Sequence, residues 1–370
     1  MKVLYDHQIF AMQNYGGISR YFFELMSNFD KDIEINIELS LALSVNHYIN
    51  NCNFSPQNSP FLVSIYRFPY IKKFLNLDRS KKILLKQDFD VFHPTYYDPY
   101  FLEYLDEKPF VLTIYDMIHE IFPEYYSLSD KTISWKQTLA GRANKIIAIS
   151  ENTKKDIIKF LGVSPNKIAV IHLGASININ NVNENTYGNI AHQMPKKYIL
   201  FVGSRERYKN FYFFLESVAQ ILLKNKDLHL ICAGGGAFSN SEIKFLKNLN
   251  IGHKVAQYDV DDRTLIYLYK NALGFVFPSL YEGFGMPLLE SFACGCPVIA
   301  SYSSSIPEVG GDAIIYFNPK DVTGLRESVE NVIYDDILRE KLILKGYEQL
   351  KNFSWKKTAL ETKKLYISIK

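Results

Sequence analysis

Short apolar runs alternate with stretches of helical spacing twice along this chain, and an Asn-rich segment between Ser176 and Lys196 separates the two series. Strands alternating regularly with helices form parallel sheets covered on both faces, so the pattern predicts an α/β protein with one such sheet in each half. In the first half the expected strands are Val3 to Tyr5, Val91-Phe92, Phe110 to Ile114, Lys145 to Ile149 and Ile168 to Ile171. Ile18, Tyr21, Phe22, Leu25, Met26 and Phe29 recur at the spacing of one helix face. Ser150 opens another helix, with Thr153 and Asp156 in its first turns. The second half restarts with an expected strand at Tyr198 to Val202, a helix from Asn210 to Lys224, strands at Leu228 to Ala233 and Gly274 to Phe277, and Gly234-Gly235-Gly236 between those two.

A length of 370 residues suits two domains better than one. The expected division is a first domain at 1–175, a linker at 176–196, a second domain at 197–352 and a terminal helix at 353–370 that packs back on the first. Two domains imply a cleft, and ligands of parallel sheets bind outside the carboxyl ends of the strands.

The net charge of +3 is too small to point to nucleic acid as a partner. Four Cys have no zinc spacing and no disulfide framework, which fits a reducing compartment. No run of ~18 apolar residues occurs, and the first seven residues carry charge, so a cytoplasmic chain without a membrane span is expected. One local feature stands out. Between Arg67 and Gln87 lie Arg67, Lys72, Lys73, Arg79, Lys81, Lys82 and Lys86 against Asp78 alone, a balance of +6, interleaved with Tyr66, Phe68, Tyr70, Phe74 and Leu75. Such a stretch is either a solvated face or a segment that settles peripherally on an anionic membrane.

The densest chemistry follows Phe277. Pro278 to Gly285 is a loop with Gly283 and Gly285, Pro287 suits the start of a helix, Gly295-Cys296-Pro297 ends it, and Val298 to Ala300 is a strand. Backbone N–H groups at a helix start, with the positive end of the macrodipole, suit a phosphate. Glu282 and Glu290 flank that position, and carboxylates there imply sugar hydroxyls rather than phosphate as their targets. A ligand with both groups follows. His93, after a strand, either faces a ligand or ends the strand, and Gly234-Gly235-Gly236 is either a tight turn or a ligand contact. Cys294 and Cys296 read as buried inert thiols.

The E-x7-E spacing within FPSLYEGFGMPLLESFACGCPVIAS is similar to the signature of retaining glycosyltransferase family 4. Gly16-Gly17-Ile-Ser-Arg, Ser150-Glu-Asn-Thr-Lys, Leu173-Gly174, FVGSRERYKN from Phe201, AGGG from Ala233 and SSIPEVGGDA from Ser304 agree in order, so the resemblance spans most of the chain. It implies a GT-B fold, two Rossmann-like domains facing across a cleft, with acceptor on the first and donor on the second. It implies that Glu290 holds the ribose, Glu282 holds the donor sugar, and the N–H groups of Gly283, Phe284 and Gly285 meet sugar and phosphates. Gly16, Gly17, Gly203 and Met286 complete the donor set, while Arg205 and Lys209 neutralise the diphosphate. Asp116 and His119, in LTIYDMIHE, would lie near the transferred sugar. Tyr115 and Tyr208 depart from the family, standing where many relatives have His and Arg, so that the arginine of the diphosphate site is either Arg205 or Arg207.

The resemblance further implies front-face attack with retention, the departing phosphate taking the acceptor's proton, and neither metal nor cofactor beyond the nucleoside-diphosphate sugar. The expected reaction moves a hexose, first choice mannose from GDP-mannose, to a glycan or lipid-linked acceptor in surface polysaccharide assembly. A nucleotide-sugar epimerase and a catalytically silent nucleotide-sugar-binding subunit are the competing readings.

Overall fold

The computed structural model describes residues 1–29, 34–49, 52, 69–177, 194–205 and 207–370. Most of the expected linker, at 178–193, and Tyr66, Arg67 and Phe68 lie outside the described residues. The chain forms two compact units, one of Met1–Gly174 with Trp355–Lys370, the other of Ala175–Ser354.

The first unit holds β1 (Lys2–Tyr5), β2 (Asn36–Leu39), β3 (Val91–His93), β4 (Val111–Ile114), β5 (Lys145–Ala148) and β6 (Ile168–Val170). β2, β1 and β3 pair in parallel, as do β4, β5 and β6, and a parallel bridge between Phe92 and Phe110 joins the two sets. The second unit holds β7 (Lys197–Val202), β8 (Leu228–Ala233), β9 (Val255–Tyr258), β10 (Gly274–Phe277), β11 (Val298–Ser301) and β12 (Ile314–Phe317), in one parallel sheet of order β12-β11-β10-β7-β8-β9. Phe201, Phe211, Phe214, Leu230 and Val276 are among the residues of its core.

Local chemistry accounts for the helix starts. Ser150 Oγ accepts from the Thr153 amide at 3.0 Å, and Gly162, with φ +63°, closes that helix, Glu151–Leu161, in a conformation that suits glycine. The helix Asn240–Asn248 opens with a reciprocal pair, the Ser239 hydroxyl on the Glu242 amide and the Glu242 carboxylate on the Ser239 amide.

The terminal helix, Trp355–Ile367, belongs to the first unit, where polar groups fasten it. Tyr366 Oη lies 2.8 Å from Tyr5 Oη and 2.6 Å from His93 Nδ1, and His93 Nε2 lies 2.8 Å from Thr113 Oγ1. One phenol therefore ties the chain's end to β1, β3 and, through the imidazole, β4. Thr358 Oγ1 adds a 2.6 Å bond to the carbonyl of His172. His93, left open by the sequence, is fully buried in this network.

Burial lowers the pKa of His93 from 6.5 to about 3. On acidification the unfolded chain takes up a proton that the folded one refuses, so this contribution to stability is present above pH 6.5 and is lost as pH falls toward 3. Urea midpoints should drop across that window, and His93→Gln should show a smaller drop. At neutral pH Tyr366→Phe should cost about 1–3 kcal/mol, because it strands buried partners. An unchanged urea midpoint in that variant would refute the fastening.

Candidate functional site

Counted from β7, the strand order of the second unit reverses between β7 and β10. In parallel sheets that reversal opens a crevice at the carboxyl ends, because the connections leave in opposite directions. The segment after β7 contains Gly203, Arg205 and a short turn at Arg207–Lys209, and that after β10 is Pro278 to Gly285. They are bonded to each other. The Leu280 amide donates to the Tyr208 carbonyl at 2.7 Å, and Lys209 Nζ donates to Glu282 Oε1 at 2.7 Å. These side chains are only 15% and 11% exposed, so their attraction is weakly screened. Lys209 also lies over the rings of Tyr208 and Phe277, with centroids 5.1 and 5.5 Å away.

The glycine loop is shaped from below by serines of the next connection. Ser304 Oγ accepts from the Glu282 amide at 2.8 Å, Ser305 Oγ donates to the carbonyls of Glu282 and Phe284 at 2.9 and 3.1 Å, and Ser301 and Ser303 both donate to the Ser279 carbonyl. Gly285 adopts φ +99°, a conformation L residues rarely take, and a Cβ there would stand 3.2 Å from Leu288 Cδ1. The helix Met286–Ala293 starts directly after it, with no side-chain cap and with Pro287 in its first turn. An uncapped helix start concentrates positive potential where Lys209 already lies close to the loop. Glu290, in this helix, is 7% exposed and stands 3.4 Å from the Tyr269 hydroxyl, whose pKa burial and then the Glu290 charge push up. The segments after β7 and β10 thus bring Lys209 to Glu282, beside Gly283, Phe284, Gly285 and Met286, while Gly203 follows β7 directly, bonded to the end of β8, and Glu290 lies within the helix that follows the loop.

Arg205 differs from expectation. Its Nε donates to Glu242 at 2.7 Å, and its other nitrogens donate to the carbonyls of Gly234, Gly235, Gly236 and Ala237 at 2.8 to 3.2 Å. Its donors hold the glycine loop after β8, where three successive glycines have φ of +71° to +81°. The Gly234–Gly236 segment is accordingly a tight turn.

The remaining candidates lie in the first unit. Asp116 follows β4, its Oδ1 accepts from the Ile118 amide, and its carbonyl accepts from Lys136 Nζ at 3.0 Å. Lys136 is buried, pairs with Glu120 Oε2 at 2.9 Å and sits over the Tyr97 ring. His119 stacks on Tyr126 with ring centroids 3.7 Å apart, its Nε2 3.6 Å from Asp130 Oδ2. Burial, then the Lys136 charge, lowers its pKa, which favours neutral imidazole. Tyr115 is buried between Tyr21 and Tyr97. Gly17 begins the helix Gly17–Phe29, and Gly16 accepts from the Arg20 amide at 3.0 Å. Sequence reasoning missed Lys136, Glu242, Tyr269 and the serine ladder. Lys136 had a signal, a lone cation in register with Leu139 and Ala140 on a buried helix face.

Two Rossmann-like units, the second with a site at its strand reversal, define a GT-B protein. Residues 183–349 match the family described as Glycosyl transferases group 1, and residues 15–178 match Glycosyltransferase Family 4. O-antigen chain mannosyltransferase B of Escherichia coli is 28% identical over 325 residues, covering 84% of this chain and 81% of that protein. O-antigen chain mannosyltransferase RfbU of Salmonella typhimurium is 28% identical over 220 residues, covering 58% and 59%. The structure of HepE from Anabaena in complex with UDP and glucose superposes with a TM-score of 0.76 at 16% identity over 100% of both chains. The chain belongs to glycosyltransferase family 4.

Arg205 and Glu242 are 4% and 9% exposed, so removing the guanidinium leaves a poorly solvated carboxylate. Arg205→Ala should therefore lower unfolding free energy by about 3 kcal/mol. Denaturant titration checks this, and a midpoint equal to wild type would show that the clamp contributes nothing.

Proposed function

We propose that this glycosyltransferase transfers a hexose with retention of configuration from a nucleoside-diphosphate sugar, first choice GDP-mannose, to a glycan or lipid-linked acceptor in surface polysaccharide assembly. The observation that carries this is the 2.7 Å pairing of Lys209 with Glu282 beside the uncapped start of Met286–Ala293. An ammonium has three donors, so Lys209 can keep Glu282 and still grip a phosphate oxygen. As the glycosidic bond breaks, the leaving diphosphate gains charge, and Lys209 with the loop amides stabilises it through charge-assisted bonds.

Glu282 then has an oxygen for a sugar hydroxyl, and Glu290, eight residues on, accepts from the ribose. The departing phosphate takes the acceptor's proton on the same face, which retains the configuration and gives no part to a side-chain base or a metal. Asp116 and His119, after β4, are assigned to the transferred sugar's surroundings, His119 as neutral imidazole. The names of the two O-antigen mannosyltransferases support the sugar and the pathway, and HepE, solved with UDP and glucose, supports a nucleotide-bound sugar. We place the enzyme in the cytoplasm, where Cys232, Cys294 and Cys296, all buried and raised in pKa by burial, stay as thiols.

Lys209→Ala and Glu290→Ala should each cost about 1–3 kcal/mol in kcat/KM for the donor, the scale for losing a bond to a charged group. Near-wild-type donor kinetics in both would remove the assignment. EDTA should leave the rate unchanged, and a sharp loss of activity restored by Mg²⁺ would overturn the metal-independent mechanism. In a thermal-shift panel GDP should raise the melting temperature more than UDP or ADP, since only ligands that favour the folded state do so. A larger shift with UDP would reassign the base.

A further inference from the structure

Two loops at the carboxyl ends of β1 and β2 are bonded to each other and hold one tyrosine out into solvent. The first carries the short helix Gln8–Met12 and brings Tyr15 to the start of the helix Gly17–Phe29, and the second, after β2, includes Ser44 to Tyr48. Ser44 Oγ donates to the Phe10 carbonyl at 2.6 Å, Asn46 Nδ2 to the Gln13 carbonyl at 2.8 Å, and the His47 amide to the Asn14 carbonyl at 3.0 Å. Ser44 and Asn46 are buried, so these bonds are shielded from competing water and set where Tyr15 and His47 stand.

The rings of Tyr15 and His47 lie face to face, with centroids 4.8 Å apart and planes 27° from parallel, and the Tyr48 ring meets Tyr15 edge-on at 6.1 Å. Tyr48 is itself held, stacked on Phe23 at 6.0 Å with the Arg20 guanidinium 5.3 Å from its centroid. His47 therefore covers one face of Tyr15, yet Tyr15 is still 62% exposed, as is Met12 on the same loop. A tyrosine held on a face and an edge has lost its side-chain freedom before any ligand arrives, so binding on its open face costs little ordering. A pyranose fits that shape, because its C–H groups pack on the negative face of an aromatic ring while its hydroxyls point to the rim. The rim offers the Tyr15 hydroxyl and the exposed His47 imidazole as hydrogen-bonding groups. An acyl chain would leave those polar groups unmet.

We propose that the open face of Tyr15, backed by His47, is a carbohydrate subsite that stacks a pyranose ring of the acceptor. This rests on the acceptor being a glycan or a lipid-linked glycan, as proposed above, and it makes the sugar, not the lipid, what these loops of the first unit recognise. Neither Tyr15 nor His47 belongs to the donor set.

Saturation-transfer NMR of the full chain with α-linked mannotriose, maltotriose and chitotriose, without nucleotide, tests it, alongside thermal shifts with GDP and UDP. The expected result is transfer to the ring C–H groups of at least one trisaccharide, mannotriose being the first choice. In titrations of that contact Tyr15→Ala should weaken affinity about tenfold, His47→Ala about threefold and Tyr15→Phe less than about twofold, the scale on which an aromatic contact contributes. Circular dichroism and the nucleotide shifts should stay as in the wild-type chain. Absence of transfer to all three sugars in the wild-type chain would overturn the subsite, as would undiminished binding by Tyr15→Ala. So would an equal loss of nucleotide shift and sugar contact in Tyr15→Ala, which would place the ring in the donor's own site. A wild-type chain that holds a sugar through Tyr15 but shows no nucleotide shift would leave the subsite standing and sink the donor reading instead.

Discussion

The ion pair between Lys209 and Glu282 is the contact on which the second unit's site depends. It joins the segments leaving β7 and β10, the two neighbours at which the sheet reverses. A cation and a carboxylate side by side, both mostly shielded from water, would be a poor source of stability by themselves. Their arrangement makes sense as a site held ready. In the proposed donor site the carboxylate would keep the ammonium in place before an anion arrives, and the ammonium's remaining donors would let it bind that anion without releasing the carboxylate.

The surroundings divide the labour between backbone shape and side-chain chemistry. Serines 301, 303, 304 and 305 fix the carbonyls and amide of the Pro278–Gly285 loop, so the glycines can turn without the loop collapsing. Arg205 does the same for the loop after β8, with a guanidinium in place of hydroxyls. In the first unit the terminal helix closes the structure through Tyr366 and His93, a neutral network in a fully buried position. Charge there is concentrated instead at Lys136, Glu120 and Asp116 after β4, where Lys136 sets the direction of the Asp116 carbonyl.

Strong local patterns were legible in the sequence. Gly17–Phe29, Phe211–Lys224, β8 and β10 follow from apolar spacing and glycine punctuation, and the Ser150 cap from one hydroxyl at a helix start. β2, at Asn36–Leu39, was not anticipated, since four alternating residues give too little signal, and the helix Pro69–Leu84 was read only as a basic stretch. The site divided in the same way. Glu282, Glu290 and Lys209 could be named from spacing and resemblance, but the Lys209–Glu282 bond and the Tyr269 contact link residues far apart in sequence. Arg205 shows the limit most clearly, because nothing in FVGSRERYKN says that its donors meet the carbonyls of a loop about thirty residues on.

A crystal structure with a bound nucleoside-diphosphate sugar tests the central claim most directly. The pyrophosphate should lie against Lys209 and the amides of Gly283 to Gly285, with Glu290 on the ribose and Glu282 on the sugar. Pyrophosphate density elsewhere in the second unit, with Lys209 and Glu282 still joined only to each other, would contradict it.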